Sequence, residues 1–214
     1  MSSYVRPTTL SDALGSLAEG RRTIVAGGTD FYPARVGTIP DEDVLDITSI
    51  DGLRLIEDKG DHYFIGAAAT WTDLIRADLP DWFSAMKLAA REVGGQQIQN
   101  AGTVVGNVCN ASPAADGVPG LIALEAIVRL VSVSGERDVP ISEFILGNRR
   151  TARDPIEMVT GLVVPKFSND AKSTFLKLGA RKYLVISIVM VSAIMEKAAD
   201  GAITRCNIAV GSCS

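Results

Sequence analysis

Two glycine-containing turns hold the residue types in this sequence that are best suited to binding chemistry. The first, residues 26–30 (AGGTD), directly follows the short apolar run at residues 23–26. Paired glycines accept positive φ angles, so successive backbone N–H groups can point at one anion, and Thr29 adds a hydroxyl donor. Taken alone, the segment is more simply explained as a tight turn between two elements.

The second turn spans residues 100–107 (NAGTVVGN) and is followed by Asn110, Ser112 and Asp116. Small residues, hydroxyls and carboxamides of this kind hydrogen-bond phosphate, ribityl hydroxyls and the edge of a flavin ring without adding charge. Two separated neutral turns suit a long ligand whose own chemistry does the work. The surrounding residues 96–119 are rich in Gly, Asn, Ser, Pro and Gln, and we predict a long functional loop there.

The side-chain constellations of most catalytic and metal sites are missing from the sequence. His62 is the single histidine, which argues against a histidine-rich metal site and a Ser–His–Asp triad. No glycine loop is followed by the Lys-Ser/Thr pair of a nucleoside triphosphatase, and no strand leads into a G-x-G-x-x-G segment. Three cysteines without C-x-x-C spacing do not indicate a zinc, iron–sulfur or disulfide framework. We therefore predict neither a catalytic side chain nor a metal ligand.

The charge balance narrows the classes of partner. The 214 residues contain 21 Lys and Arg against 25 Asp and Glu, which argues against nucleic acid and anionic membranes. The N-terminus lacks the apolar core of a signal peptide. The longest apolar run, residues 184–195, is interrupted by serines and is shorter than the ~20 residues of a membrane span. With unpaired cysteines, these features predict a soluble protein of the reducing cytoplasm.

Apolar periodicity places the two turns between regular elements. A helix beginning after Thr9 and strands at residues 23–26 and 44–47 predict a first small α/β unit. A hairpin follows, and Thr70 and Asp73 have the spacing of a capping box, which predicts the start of a helix. Further helices and strands come next, and three strand-like runs with a turn at Asp200-Gly201 end the sequence. We predict three units, at residues 1–55, 56–168 and 169–214.

The arginines at positions 149, 150 and 153 are interpreted as a solvated basic face, with phosphate or partner binding as the alternative.

Together the two turns resemble the FAD-binding medium subunit of molybdenum hydroxylases, the family of xanthine dehydrogenase and aerobic carbon monoxide dehydrogenase. That family has an A-G-G-T/H-D/S turn and, later, a T-I-G-G-N segment after a Gln-Ile/Val pair. The matching segments here are residues 26–30, 103–107 and 97–99. Further matches follow in the same order along the whole sequence, at Ser112-Pro113, Asp116, Pro119, Val139-Pro140-Ile141, Glu157-Met158-Val159 and Phe175-Leu176-Lys177.

The resemblance implies an α+β protein with the p-cresol methylhydroxylase-type FAD-binding fold. Two α/β subdomains would hold FAD between them, and a β-rich C-terminal domain would begin after them. Two segments are expected to wrap the diphosphate: Ile24, Val25, Ala26, Gly27, Gly28, Thr29, Asp30 and Phe31, and then Thr103, Val104, Val105, Gly106 and Asn107. Asp116 is expected to bond the ribityl or ribose region, Val93 and Val159 to pack against the cofactor, and Lys177 to contact its ring system or phosphates.

By the same resemblance, the chain is the electron-transfer subunit of a FAD-dependent oxidoreductase. A large molybdopterin-binding subunit would carry out the hydroxylation, and a small 2Fe-2S subunit would pass the electrons to FAD in this chain. The acceptor after FAD would be NAD, oxygen or another molecule. The chain itself would supply cofactor position and tuning of its potential.

Two departures from the family pattern define the alternatives. Val105 stands where the family has the first glycine of G-G-N, and a valine there disfavours positive φ and crowds an approaching phosphate. The family's C-terminal domain also continues past the length of this sequence. One alternative is therefore a non-catalytic assembly subunit with impaired flavin binding. Another is a relative of the UDP-N-acetylenolpyruvoylglucosamine reductases, which share the flavin fold, although the segment from Ser112 to Asp116 gives no support to it.

Overall fold

The computed structural model describes residues 2–38 and 41–213, which form an α+β fold of three main sheets, a small hairpin and seven helices. The helices are α1 (Leu10–Glu19), α2 (Trp71–Arg76), α3 (Ser84–Glu92), α4 (Gln96–Ala101), α5 (Val104–Asn110), α6 (Gly117–Ala123) and α7 (Ile141–Phe144). The strands are β1 (Tyr4–Val5), β2 (Thr23–Val25), β3 (Val44–Asp46), β4 (Ile56–Asp58), β5 (His62–Gly66), β6 (Ile127–Ser132), β7 (Gly135–Pro140), β8 (Ile145–Gly147), β9 (Arg150–Thr151), β10 (Met158–Pro165), β11 (Lys172–Gly179), β12 (Ser187–Lys197) and β13 (Ile203–Gly211). Within these residues, every helix is too short or too polar to cross a membrane.

The first sheet is parallel, has the strand order β1–β3–β2, and positions the first glycine turn. β2 ends at the buried Val25, and the chain leaves the sheet there. The turn at residues 26–30 therefore lies at the carboxyl end of a parallel strand, which is the edge of an α/β sheet where ligands bind.

The second sheet is antiparallel, with the order β4–β5–β10–β6–β7. β10 is the last of these strands in the chain, yet it lies in the middle of the sheet, and its residues 158–164 are all buried. Trp71, Trp82, Phe83 and Leu121 are fully buried in the core formed with the neighbouring helices. This sheet and its helices carry the second glycine turn.

The third sheet is an antiparallel meander of β11, β12 and β13. On one face, Phe175 and Met190 pack against Ala85 and Ala89 of α3. The opposite face is apolar and exposed, with side chains that are 50–70% accessible at Leu176, Leu178, Ile208 and Val210.

Several sequence-based predictions of local structure are confirmed. The side chains of Thr9 and Thr70 cap α1 and α2, and Asp73 completes a capping box at α2. β12 and β13 pair around the turn at Asp200-Gly201. The three main sheets fall one into each of the predicted units 1–55, 56–168 and 169–214, whose boundaries stay predictions.

The prediction of a long loop at residues 96–119 is wrong, because α4, α5 and the start of α6 occupy most of it. Val104, Val105 and Val108 bury one side of α5 in the core, and this tertiary burial stabilises a helix that the local composition disfavours. Val105 is the second residue of α5 and has a right-handed backbone. The predicted conflict between its side chain and a positive φ is therefore also wrong.

Candidate functional site

A cavity of about 430 Å³ lies between the first and second sheets, bordered by both glycine turns. Segments far apart in the chain face this one space. The sequence-predicted residues that line it are Ile24, Val25, Ala26, Gly27, Gly28, Thr29, Asp30, Phe31, Val93, Thr103, Val105, Gly106, Asn107 and Val159.

The first turn has a run of backbone N–H groups without partners. In the described part of the chain, nothing accepts a hydrogen bond from the N–H groups of residues 27–31, whereas Tyr32 N–H bonds the carbonyl of Gly28 at 3.1 Å. Gly28 adopts a φ of 67°. Gly27 lies so close to Ala101 that a Cβ there would overlap its carbonyl oxygen. The turn thus offers free amide donors and has glycine where positive φ and close approach require it.

The second turn leads directly into α5. Thr103 Oγ1 accepts the N–H of Gly106 at 2.9 Å and caps the helix. Val104 donates its N–H to the Ala69 carbonyl, and its side chain is fully buried in the core, so it supports the cavity from behind rather than lining it. The N–H of Val105 has no acceptor within residues 2–38 and 41–213.

A second cavity, of about 400 Å³, adjoins the first through Val93 and Asn107, which line both. Asn107 Oδ1 is buried and finds no hydrogen-bond partner among the described residues. A buried acceptor without a donor is destabilising until a donor reaches it. Because the two cavities share these wall residues, they lie next to each other, and Asn107 is positioned where both can be reached.

Asp116 and Lys177 are brought together as a buried ion pair. Lys177 Nζ donates to Asp116 Oδ2 at 2.7 Å, and Ser187 Oγ donates to the other carboxylate oxygen. Their side chains are only 9% and 7% exposed, respectively. Asp116 lines the second cavity, whereas Lys177 lines neither. Contact of Lys177 with a cofactor therefore stays a prediction.

The two turns were expected to bind a long ligand without charged groups, but Arg21, Arg22, Arg35 and Arg153 also line the first cavity. Arg35 forms an ion pair with Glu42. Arg21 and Arg153 form no ion pair among the described residues, although the Glu157 carboxylate, which is paired with Arg137, lies close enough to Arg153 to interact with its charge. The overlooked signal was Arg21-Arg22, which immediately precedes the strand that leads into the first turn.

Two titratable groups of the first cavity have shifted pKa values for different reasons. A hydrogen bond from Arg149 holds the pKa of Asp30 below its ordinary value. Burial raises the pKa of the Cys109 thiol to about 11. Asp30 is therefore ionised at neutral pH but a weaker base than a free aspartate, and Cys109 is protonated and a poor nucleophile.

Comparison with known proteins connects this arrangement to a family. The family model described as "FAD binding domain in molybdopterin dehydrogenase" matches residues 1–167. The nicotinate dehydrogenase FAD-subunit of Eubacterium barkeri is 33% identical over 198 residues, which are 87% of this chain and 66% of that protein. The carbon monoxide dehydrogenase medium chain of Hydrogenophaga pseudoflava is 31% identical over 184 residues, which are 82% of this chain and 62% of that protein.

A solved structure agrees with the sequence comparisons. Carbon monoxide dehydrogenase from Hydrogenophaga pseudoflava, in a form that lacks the Mo-pyranopterin moiety of its molybdenum cofactor, matches with a TM-score of 0.87 and 27% identity. The match covers 98% of this chain and 74% of that chain. This chain spans 62–66% of the length of the two curated relatives. The chain belongs to the family of FAD-binding domains of molybdopterin dehydrogenases, which are oxidoreductases.

Proposed function

We propose that this chain holds FAD across the two adjoining cavities and serves as the electron-transfer subunit of a molybdopterin-dependent hydroxylase or dehydrogenase. The observation that carries the proposal is the convergence of the first turn, with its free amide groups, and α5 on one cavity. Backbone amides in a glycine turn are well suited to a diphosphate because they bring several donors to one point.

The residues present fit a dinucleotide that contains a diphosphate. The amides of residues 27–31 are without acceptors in the described chain, and Arg21 and Arg153 add positive charge at the same cavity. Asn107 Oδ1, orphaned at the junction of the cavities, is an acceptor for a hydroxyl or imide donor of the ligand. The second cavity leaves room for the part of the ligand beyond the diphosphate.

When bound, FAD would supply the transfer of one or two electrons, and the chain would supply binding and orientation. In this proposal the amides of residues 27–31 and the guanidinium of Arg153 hold the diphosphate. Val93 and Val159 exclude water from the cavity wall. Asp116, at the wall of the second cavity, offers a carboxylate oxygen to a sugar or ribityl hydroxyl.

The partner subunits are inferred from the names of the relatives. "FAD-subunit" and "medium chain" denote one chain of a larger enzyme. We infer a large molybdopterin-binding subunit and a small 2Fe-2S subunit as partners, with electrons reaching FAD from the iron–sulfur clusters and leaving to NAD or another acceptor. Two measurements test this path: whether a partner iron–sulfur protein binds this chain, and whether NADH reduces the FAD bound to it.

The main argument for an assembly subunit with impaired flavin binding has weakened, because Val105 sits in a helix and needs no positive φ. FAD binding without reduction by NADH or by an iron–sulfur partner would favour that alternative. Reduction by either would favour the electron-transfer role.

The direct test is a titration of the flavin-free chain with FAD, in which binding is measured by the quenching of flavin fluorescence. We expect one FAD per chain and much weaker binding of riboflavin, which has the same ring system but no diphosphate. Gly28→Val is expected to abolish binding, because its Cβ would overlap the Tyr32 ring and valine disfavours the observed φ of 67°. A wild-type chain that takes up no FAD would contradict the proposal, as would equal affinity for riboflavin.

A further inference from the structure

Arg149 connects the two sides of the first cavity from outside it. Its Nη1 donates to Asp30 Oδ2 at 2.7 Å, and its Nη2 is 3.2 Å from Asp30 Oδ1. The same Nη1 also donates to the Asn110 side-chain oxygen. Asp30 belongs to the first turn and Asn110 ends α5, and both residues line the cavity. One side chain therefore joins the turn of the first sheet to the helix of the second.

The backbone holds Arg149 in place for this contact. It lies in the turn between β8 and β9, with a φ of 57°, and its N–H donates to the Ala111 carbonyl at 2.9 Å. A left-handed conformation is uncommon for a residue with a side chain and needs support from its surroundings. Here the hairpin is tied to the end of α5, so the guanidinium starts from a fixed point.

The contact also changes the charge at the cavity rim. Asp30 is half-exposed and, without a partner, would place a negative charge beside the first turn, where it would repel a diphosphate. A guanidinium that bonds both carboxylate oxygens compensates that charge and fixes the carboxylate geometry. Arg149 thus removes a repulsion and bridges the cavity rim in one contact.

We propose that Arg149 is a positioning residue, which latches the first turn onto α5 and thereby slows the release of a bound FAD. This inference rests on the proposed function for the identity of the ligand. The latch itself is a property of the ligand-free chain, because every contact that forms it lies within the protein.

The first test measures the rate of FAD release by stopped-flow fluorescence from the loaded chain. For Arg149→Ala and Asp30→Asn we expect release to be about threefold to tenfold faster. The double variant is expected to release FAD faster than the wild type, because the latch is broken, but more slowly than Arg149→Ala, because the unpaired Asp30 carboxylate no longer repels the diphosphate. Raising the salt concentration is expected to speed release from the wild type more than from Arg149→Ala.

Arg150→Ala is the matched control. Arg150 is exposed, directly follows Arg149, and has no side-chain hydrogen bond or ion pair within the described residues. Its loss removes the same charge from the same hairpin without breaking the latch, so release should be unchanged. Release from Arg149→Ala at the wild-type rate would overturn the latch, as would equal acceleration in Arg150→Ala.

A second test needs no FAD and separates failure of the latch from failure of the proposed function. Amide hydrogen exchange of Tyr32 and Ala34, whose N–H groups bond the carbonyls of Gly28 and Asp30 in the first turn, is measured in the flavin-free wild type, Arg149→Ala and Arg150→Ala. Faster exchange in Arg149→Ala alone supports the latch, whether or not the wild type binds FAD. A wild type that binds no FAD overturns only the proposed ligand. Equal exchange in all three chains overturns the latch.

Discussion

At Gly27 and Gly28, two neighbouring positions lack a side chain for different physical reasons. Gly28 has a φ of 67°, so its backbone conformation is the constraint. Gly27 has no such angle, but a Cβ there would overlap the backbone of Ala101 and Gly102. Backbone atoms cannot rotate away as a side chain can. Gly27 is therefore required because the two glycine turns lie so close together at this point.

Gly27→Ala is therefore expected to push the two turns apart. We expect the free energy of unfolding to fall by about 1–3 kcal/mol, as for an overpacked site, and FAD affinity to fall at least roughly tenfold because the amides no longer converge. Urea unfolding and FAD titration measure the two effects.

Gly15→Ala is the control, since a Cβ at Gly15 meets nothing within 4 Å and the residue is inside α1. It should stabilise the chain by about 0.5–1 kcal/mol and leave FAD affinity unchanged. If Gly27→Ala were as harmless as Gly15→Ala, the close approach would not be a constraint.

Arg153 is held ready for an anion by its contacts with the backbone. Its Nη1 donates to the carbonyls of Asp154 at 3.1 Å and of Glu157 at 2.8 Å. The side chain is thereby fixed at the cavity, and its other N–H groups bond nothing in the described part of the chain. Carbonyls do not neutralise its charge, so an anionic ligand gains from it.

Arg153→Ala is expected to raise the Kd for FAD about tenfold, the value of roughly one charged hydrogen bond. The dependence of Kd on salt should also become weaker, because one ionic contact is lost. FAD titrations at two salt concentrations measure both effects. A variant with unchanged Kd and unchanged salt dependence would remove Arg153 from the diphosphate site.

Among the elements, β11 and the start of α6 are joined by the buried pair of Lys177 and Asp116, the residue immediately before α6. The pair links the third sheet to the helices that cover the second. Both charges are removed from water, so the loss of either partner would leave the other charge buried and unpaired, which destabilises the folded chain. Lys172, on the same strand, makes an exposed ion pair with Asp81 and offers a direct comparison.

Lys177→Met is expected to lower the free energy of unfolding by about 3–5 kcal/mol, since it leaves the Asp116 carboxylate buried without a cation. Lys172→Met should cost less than about 1 kcal/mol, because water already screens that pair. The combined variant Asp116→Asn/Lys177→Met should be more stable than Lys177→Met alone. Urea unfolding of the four chains checks this order, and equal losses at positions 172 and 177 would contradict it.

The sequence predicts elements best where local and tertiary signals agree. Thr9, Thr70 and the turn at Asp200-Gly201 are recognised because capping and hairpin chemistry is local. α5 is missed because its three valines, two asparagines and one glycine form a helix only when Val104 and Val108 are buried by distant residues. The same limit applies to the arginines of the cavity, since only the folded chain brings Arg21 and Arg153 together.

At the scale of the whole molecule, the glycine turns could be found from the sequence because their residue types are constrained by backbone geometry. Their meeting at one cavity could not be derived from spacing, because it depends on how the first sheet sits on the second. Asp116 illustrates the difference. The sequence identified Asp116 as a candidate site residue. Its ion pair with Lys177 could not be predicted, because the pair forms only when the third sheet packs against the helices.

The order of the second sheet predicts which part of the chain is indispensable for folding. β10 lies between β5 and β6, with Gly161 opposite Gly66 on one side and Leu162 opposite Val128 on the other. A chain ending at residue 150 lacks this strand, so we expect no cooperative thermal transition by circular dichroism. A chain ending at residue 168 retains β10 and should unfold cooperatively, at a lower temperature than the full chain. A cooperative transition in the shorter chain would contradict this role of β10.

The late position of β10 in the chain also has a consequence for biosynthesis. While the ribosome is still translating the residues before position 158, β5 and β6 have been made but their shared neighbour has not, so each presents an open edge. Open strand edges recruit other strands, and pairings between distant segments form slowly. The nascent chain therefore passes through an interval of vulnerability to aggregation, which ends when β10 emerges and closes the gap, and chaperone demand should be highest during that interval.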